Sequence, residues 1–144
     1  MKLRKRLFTI SVILWFISSA AIGSAADFDW IQDFNIRAEA DPSGFRARLA
    51  VRFKTGDVEI NAVLSHVKSP ADAYIVLCLG EMSSKPTDYV MEKYRREKGK
   101  GWGAVAKSLG VKPGSKEFHA LKQGSDLYEN HLIREAKGKG KGKR

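Results

Sequence analysis

Apolar residues follow three regimes along the chain: a largely apolar run near the start, a middle stretch where they recur at short intervals, and a closing Lys-Gly alternation without any. In the middle stretch, Phe45, Ala47, Leu49, Val51 and Phe53 alternate with Arg46, Arg48, Arg52 and Lys54, as a strand would, and Thr55, Gly56 and Asp57 could be its hairpin turn. Phe45, Leu49 and Phe53 also recur at helical spacing, as do Ile60, Val63, Leu64 and Val67 beyond the turn. The local pattern of residues 45–64 therefore admits either a β-hairpin or two helices.

A longer period favours the helices. A shift of 30 positions lays Ile60 on Val90, Leu64 on Tyr94, Ala73 on Gly103, Ile75 on Val105, Leu79 on Leu109 and Gly80 on Gly110. Each copy reads as helix, short turn, helix. In the second copy, Pro86 with Thr87 or Asp88 opens a helix to about Glu97 bearing Tyr89, Val90, Met91 and Tyr94, and Gly99, Lys100 and Gly101 break it. In the first, Ser69 caps a helix that begins with Pro70 and Asp72, carries Ala73, Ile75, Val76 and Leu79, and is expected to stop at Gly80. Equivalence makes Val58–Val67 helical as well. A last helix follows Pro113 and Gly114, with Ser115 as cap, Phe118 and Leu121 on its apolar face and Gly124 at its end.

These elements predict an all-α fold, a small irregular bundle of two helix-turn-helix pairs plus a closing helix over residues 45–124. The expected core is Phe45, Leu49, Phe53, Ile60, Leu64, Ile75, Leu79, Val90, Tyr94, Trp102, Val105, Leu109, Phe118 and Leu121. Residues 27–44, with Phe28, Trp30, Ile31, Phe34 and Ile36, are aromatic without a clear period and read as an extended arm across the core or one short helix. In residues 125–144, Leu127, Tyr128, Leu132 and Ile133 could extend a helix, and the terminal Lys-Gly alternation is expected to be disordered.

The start of the chain reads as an address. Lys2, Arg4, Lys5 and Arg6 precede the apolar run Leu7–Ile22, and Gly23, Ser24, Ala25 and Ala26 supply the small residues of a cleavage site before Asp27. The run falls short of the ~20 apolar residues of a spanning helix and contains Thr9, Ser11, Ser18 and Ser19, so a cleaved signal peptide at 1–26 is preferred to an uncleaved membrane anchor. The expected location is periplasmic or secreted. No cysteine stands at the cleavage region, which disfavours a lipid anchor, and the single Cys78 sits among apolar neighbours as a buried small hydrophobe.

Charge changes the picture less than its total suggests. Of the net +10, the leader supplies four cations and the tail five, so the body between is close to neutral. The tail cations Lys137, Lys139, Lys141, Lys143 and Arg144 are candidate polyanion-binding residues, suited to weak, salt-sensitive attraction to nucleic acid, acidic lipid or envelope polymer. A solubilising end that touches nothing in particular is the equal alternative. No aromatic residue in the tail could stack a base.

The densest segment is GKGWGAVAKSLGVKPGSKEFHALK, Gly99–Lys122, and its structural motif residues are Gly101, Trp102, Gly103, Leu109, Gly110, Pro113 and Gly114. Gly99, Gly101 and Gly103 would let the backbone turn and approach closely around Trp102. The spacing does not make a phosphate loop, since no Gly-Lys-Ser/Thr follows four residues after a first glycine. Residues 104–118 also look like a helix-turn-helix, but its second helix shows Lys116, Glu117, His119, Lys122 and Gln123, a mixed face without arginine, and export would remove it from the chromosome. No sequence-specific DNA binding is expected.

Catalytic and metal constellations are not evident. His66, His119 and His131 lie in separate segments without a Cys or carboxylate at ligand spacing. The pairs Ser65–His66 and Ser115–His119 lack the elbow a nucleophilic serine occupies. A site assembled from dispersed residues such as Asp72, Lys107 and His119 is the remaining enzymatic alternative.

Gly99–Lys122, together with SPADAY (Ser69–Tyr74) and Leu79-Gly80, resembles a group of small exported, uncharacterised bacterial helical proteins. The resemblance covers about half of the chain beyond the leader and implies export and a helical fold, with no catalytic residue. The sequence thus points to a monomeric, cofactor-free, non-enzymatic binding or interaction module of the cell envelope. Its partner would be an envelope protein or an anionic polymer.

Overall fold

The structure, a computed structural model, describes residues 28–128. Within them the chain forms α1 (Ile31–Ala40), α2 (Pro42–Phe53), α3 (Asp57–His66), α4 (Pro70–Ser83), α5 (Thr87–Glu97), α6 (Trp102–Ser108) and α7 (Lys116–Gln123), with a single 3-10 turn, Lys98–Lys100, between α5 and α6. The described residues contain no strand, and the fold is the expected all-α bundle. The expected leader, residues 1–26, and the tail cations Lys137–Arg144 lie outside the described residues.

The ambiguity at residues 45–64 resolves to two helices, and burial shows why. Phe45 and Leu49, four apart, are buried, and Phe53 packs against the same core. The strand-only members Ala47 and Val51 face solvent, Val51 at 79 % exposure. Asp41 caps α2 by accepting from the Gly44 N–H at 2.9 Å, and Lys54, in the left-handed conformation at φ 52°, ends it.

The 30-residue period is visible in the helix boundaries. Phe53 and Ser83 end α2 and α4, Lys54 and Ser84 adopt left-handed φ of 52° and 53°, and Asp57 and Thr87 open α3 and α5. The repeat therefore reaches upstream of Ile60 to include the turn between helices. At one point the structure corrects the expected boundary: Gly80 does not stop α4, which continues to Ser83. The Gly80 carbonyl instead accepts from the Lys85 N–H at 3.2 Å, closing the helix beyond it.

α4 is the hub, packed by α1, α3, α5 and α7. Its sequence is apolar all round from Ala73 to Leu79, the pattern of a helix enclosed on every side, and every residue from Ala71 to Leu79 is buried. The aromatic N-terminal stretch forms the short helix of its two alternatives: α1 buries Phe34 and Ala38. The Asn35 side chain accepts from the Ala71 N–H at 2.8 Å, satisfying a free donor at the start of α4. Trp30 donates from Nε1 to the Leu121 carbonyl at 2.9 Å, tying the entry of α1 to the end of α7.

One charge is buried here. Asp72 accepts from the Tyr94 hydroxyl at 2.7 Å and lies 3.8 Å from Lys98 Nζ, which sits over the Trp102 ring. A carboxylate out of water needs such partners. Burial and the bond to Asp72 push the Tyr94 hydroxyl above its ordinary pKa.

Candidate functional site

A groove of about 610 Å³ opens between α4 and α7. Tyr74, Cys78, Glu81 and Met82 enter it from α4 at helical spacing, which aligns them on one face. Glu117, Ala120 and Leu121 enter from α7 in the same way, Arg52 reaches in from α2, and Gln123–Asp126 complete the lining. The result is a sulfur-bearing and aliphatic lining beneath a charged rim.

The rim is internally wired. Arg52 donates from Nε to Asp126 Oδ2 at 2.7 Å and from Nη1 to Glu81 Oε1 at 3.0 Å. The Tyr74 hydroxyl donates to Asp126 Oδ1 at 2.7 Å and accepts from the Asp126 N–H at 3.1 Å. Both carboxylate oxygens of Asp126 are thus engaged, and the loop after α7 is fastened to α2 and α4. Burial works against the Arg52 charge, but the hydrogen bonds to Glu81 and Asp126 outweigh it and raise its pKa. Burial raises the Tyr74 hydroxyl, and it pushes the Cys78 thiol up to about 12, against the opposing pull of Tyr74 and Arg52. At neutral pH that thiol is protonated and a poor nucleophile.

The residues singled out in the sequence lie elsewhere and act on packing. Trp102 is buried against Tyr94, with ring centroids 5.6 Å apart, and Gly101 supplies the left-handed φ of 96° that starts α6. Gly99 and Gly103 are not points of close approach, since a Cβ at either would meet nothing within 4 Å. Leu109 is buried, and Gly110 at φ 81° ends α6. The Gly110 N–H bonds to the Lys107 carbonyl at 3.0 Å and the Val111 N–H to the Ala106 carbonyl at 2.9 Å, a paired closure that also buries Val111. Pro113 and Gly114 form the turn into α7, where Ser115 accepts from the Phe118 N–H at 3.2 Å.

Among the described residues, the histidines and the dispersed triad stand on separate helices. Ser65 Oγ lies 3.0 Å from His66 Nδ1, so this pair is brought together, but both residues are exposed at the end of α3 and both atoms also lie within hydrogen-bond distance of the Ala62 carbonyl, at 2.9 and 2.7 Å. Ser115 serves as a helix cap, His119 is exposed, and His131 lies outside the described residues. Asp72 is buried with Tyr94, whereas Lys107 and His119 face solvent on other helices. No group of His, Cys, Asp and Glu among the described residues has the arrangement of a metal site.

Sequence reasoning missed Arg52, Glu81, Glu117 and Asp126. The only signal was periodic: Glu81 follows Tyr74 and Cys78 at positions that share a helix face. Comparison of the chain with protein-family models, with curated proteins and with solved structures gives no match.

Proposed function

We propose that the chain is an exported, non-catalytic binding module of the cell envelope that takes a partner in the groove between α4 and α7. The observation that carries the reading is the rim itself. Arg52, Asp126, Glu81 and Tyr74 hold one another at 2.7–3.1 Å, so the groove offers fixed polar contacts over an apolar floor. A recognition surface needs such preorganised groups beside an apolar pocket. The leader-like residues 1–26 support export, and no helix of the described residues is long and apolar enough to cross a membrane.

Two measurements test this. Residues 1–30 fused to a reporter active only outside the cytoplasm should give active reporter, and an inactive fusion would remove the envelope setting. Tagged chain should retain a defined envelope component that Ala120→Trp, filling the groove, releases and Val58→Trp, on an 86 % exposed position of α3, does not. Equal retention by both variants would place binding elsewhere. Turnover of an envelope substrate, abolished by changing one groove residue, would make the protein an enzyme instead.

The five cations in Lys137–Arg144 favour a second reading, polyanion binding. Removing them should abolish retention on heparin at low salt, and unchanged retention would count against the tail.

A further inference from the structure

We infer that the groove between α4 and α7 takes a short basic peptide segment of a partner protein, one that carries lysine or arginine beside apolar residues. The inference rests on the groove reading above and names its occupant. The first argument is charge. Three carboxylates, Glu81, Glu117 and Asp126, against one cation, Arg52, leave the lining negative by two charges. Burial keeps Tyr74 and Cys78 protonated at neutral pH, so neither alters that balance. The guanidinium is also committed, with Nε on Asp126 and Nη1 on Glu81, so an anion entering the groove would have to break the tied rim. Glu117, by contrast, makes no hydrogen bond or ion pair with any described residue and is exposed on the first turn of α7.

The second argument is the kind of cation. Among the described residues no group of His, Cys, Asp and Glu is arranged to hold a metal ion, so the carboxylates do not gather round one point. A groove of about 610 Å³ falls in the range of sites that enclose a molecule. Its floor is apolar: Cys78 and Leu121 are buried, and Met82 and Ala120 lie beside them, with Glu81 on one helix and Glu117 on the other. A matching ligand brings apolar groups to the floor and cations to the rim. Lysine and arginine do both, since their methylene stems lie on apolar surface while the charged head reaches a polar edge.

The third is length. The α7 wall has 8 residues, about 12 Å at ~1.5 Å per residue. An extended chain covers that distance in about four residues at ~3.3 Å each. The site is thus matched to a short peptide stretch, and its charge selects against an anionic polymer as the groove's occupant.

Fluorescence anisotropy tests this on the chain from Asp27 to Arg144 at ~0.1 M salt. The probes are a dye-labelled pentapeptide of alternating lysine and leucine and its counterpart with glutamate in place of lysine, and groove binding is the part that Ala120→Trp abolishes. That chain carries +6, because four cations of the net +10 lie in residues 1–26, so unselective attraction favours the acidic probe. The groove should nevertheless hold the basic probe about tenfold or more tighter than the acidic one. Glu117→Gln should weaken the basic probe about threefold to fivefold, the share of one exposed ion pair. Asp88→Gln, at an exposed position of α5, should leave it unchanged. The preference should vanish at about 1 M salt. An acidic probe held in the groove as tightly as the basic one overturns the inference, as does equal loss from Glu117→Gln and Asp88→Gln, a preference that survives high salt, or no groove binding of the basic probe. Those failures leave the partner reading standing wherever Ala120→Trp still releases an envelope component. A basic probe bound in the groove, with no envelope component released by that variant, counts against the partner reading alone.

Discussion

Two buried side chains carry the clearest consequences at the residue scale. Tyr94→Phe removes the hydroxyl donated to the buried Asp72 carboxylate and should lower stability by about 1–3 kcal/mol, read from urea unfolding. An unchanged midpoint would mean that Lys98 alone satisfies the charge. Cys78 gives a pH dependence. Its thiol, held at about 12 by burial, keeps in the folded chain a proton that the unfolded chain releases from an ordinary value of 9.0. Its contribution is therefore full below about pH 9 and is lost as pH rises from there towards 12, with a slope approaching ~1.4 kcal/mol per pH unit. Urea midpoints between pH 8 and 10.5 should fall less steeply for Cys78→Ala than for the parent chain. Parallel curves would show that the thiol does not sense the groove interior.

The backbone supplies a third prediction at this scale. Lys54 and Ser84 occupy left-handed conformations that cost an L-residue about 1 kcal/mol and glycine little. Ser84→Gly should hold or raise the unfolding midpoint, by up to about 1 kcal/mol, whereas Gly110→Ala at φ 81° should lower stability by about 1 kcal/mol. A reversed order of the two variants would contradict the assigned helix ends.

At the scale of the element, α4 decides the fold. Leu79 is fully buried in the helix that four others pack against, so Leu79→Ala should cost about 2–5 kcal/mol. Out of the ~5–15 kcal/mol a domain of this size holds, that loss is large, and thermal melting reads it directly. A loss below 1 kcal/mol would mean that α4 is not central. This element was legible in the sequence because Ser69, Pro70 and an unbroken apolar run announce it. Its C-terminus was not, since Gly80 resembles a stop although the chain closes the helix four residues later through the left-handed Ser84. α2 was ambiguous for a physical reason. Phe45, Leu49 and Phe53 satisfy both a period of two and a helical repeat, and only tertiary burial leaves Val51 outside. The stretch leading through α1 had no readable period because its aromatic residues are shared among neighbours rather than kept to one stripe: Phe34 meets Phe45 of α2, Tyr74 of α4 and Tyr128 beyond α7, and Phe28 meets Phe118 of α7.

For the whole molecule, the bundle was largely legible and the groove was not. Capping residues and the 30-residue period are local signals, whereas Arg52, Glu81 and Asp126 stand 29 and 45 positions apart and meet only after α2, α4 and α7 have packed. The dense Gly99–Lys122 segment drew attention that belongs to its structural duties: it ends α6, turns, and caps α7, thereby placing Glu117, Ala120 and Leu121 opposite α4. The site is thus a product of the fold rather than of a motif, and a groove with an apolar floor and a tied rim is suited to holding a partner.

The most direct test is a photo-reactive residue at Ala120, in the groove, compared with one at Val58, which is also exposed, irradiated in intact cells. The account predicts a discrete adduct to one envelope component from Ala120 and none from Val58. The same adduct from both positions, or one from Val58 alone, would contradict the groove as the working face of the molecule.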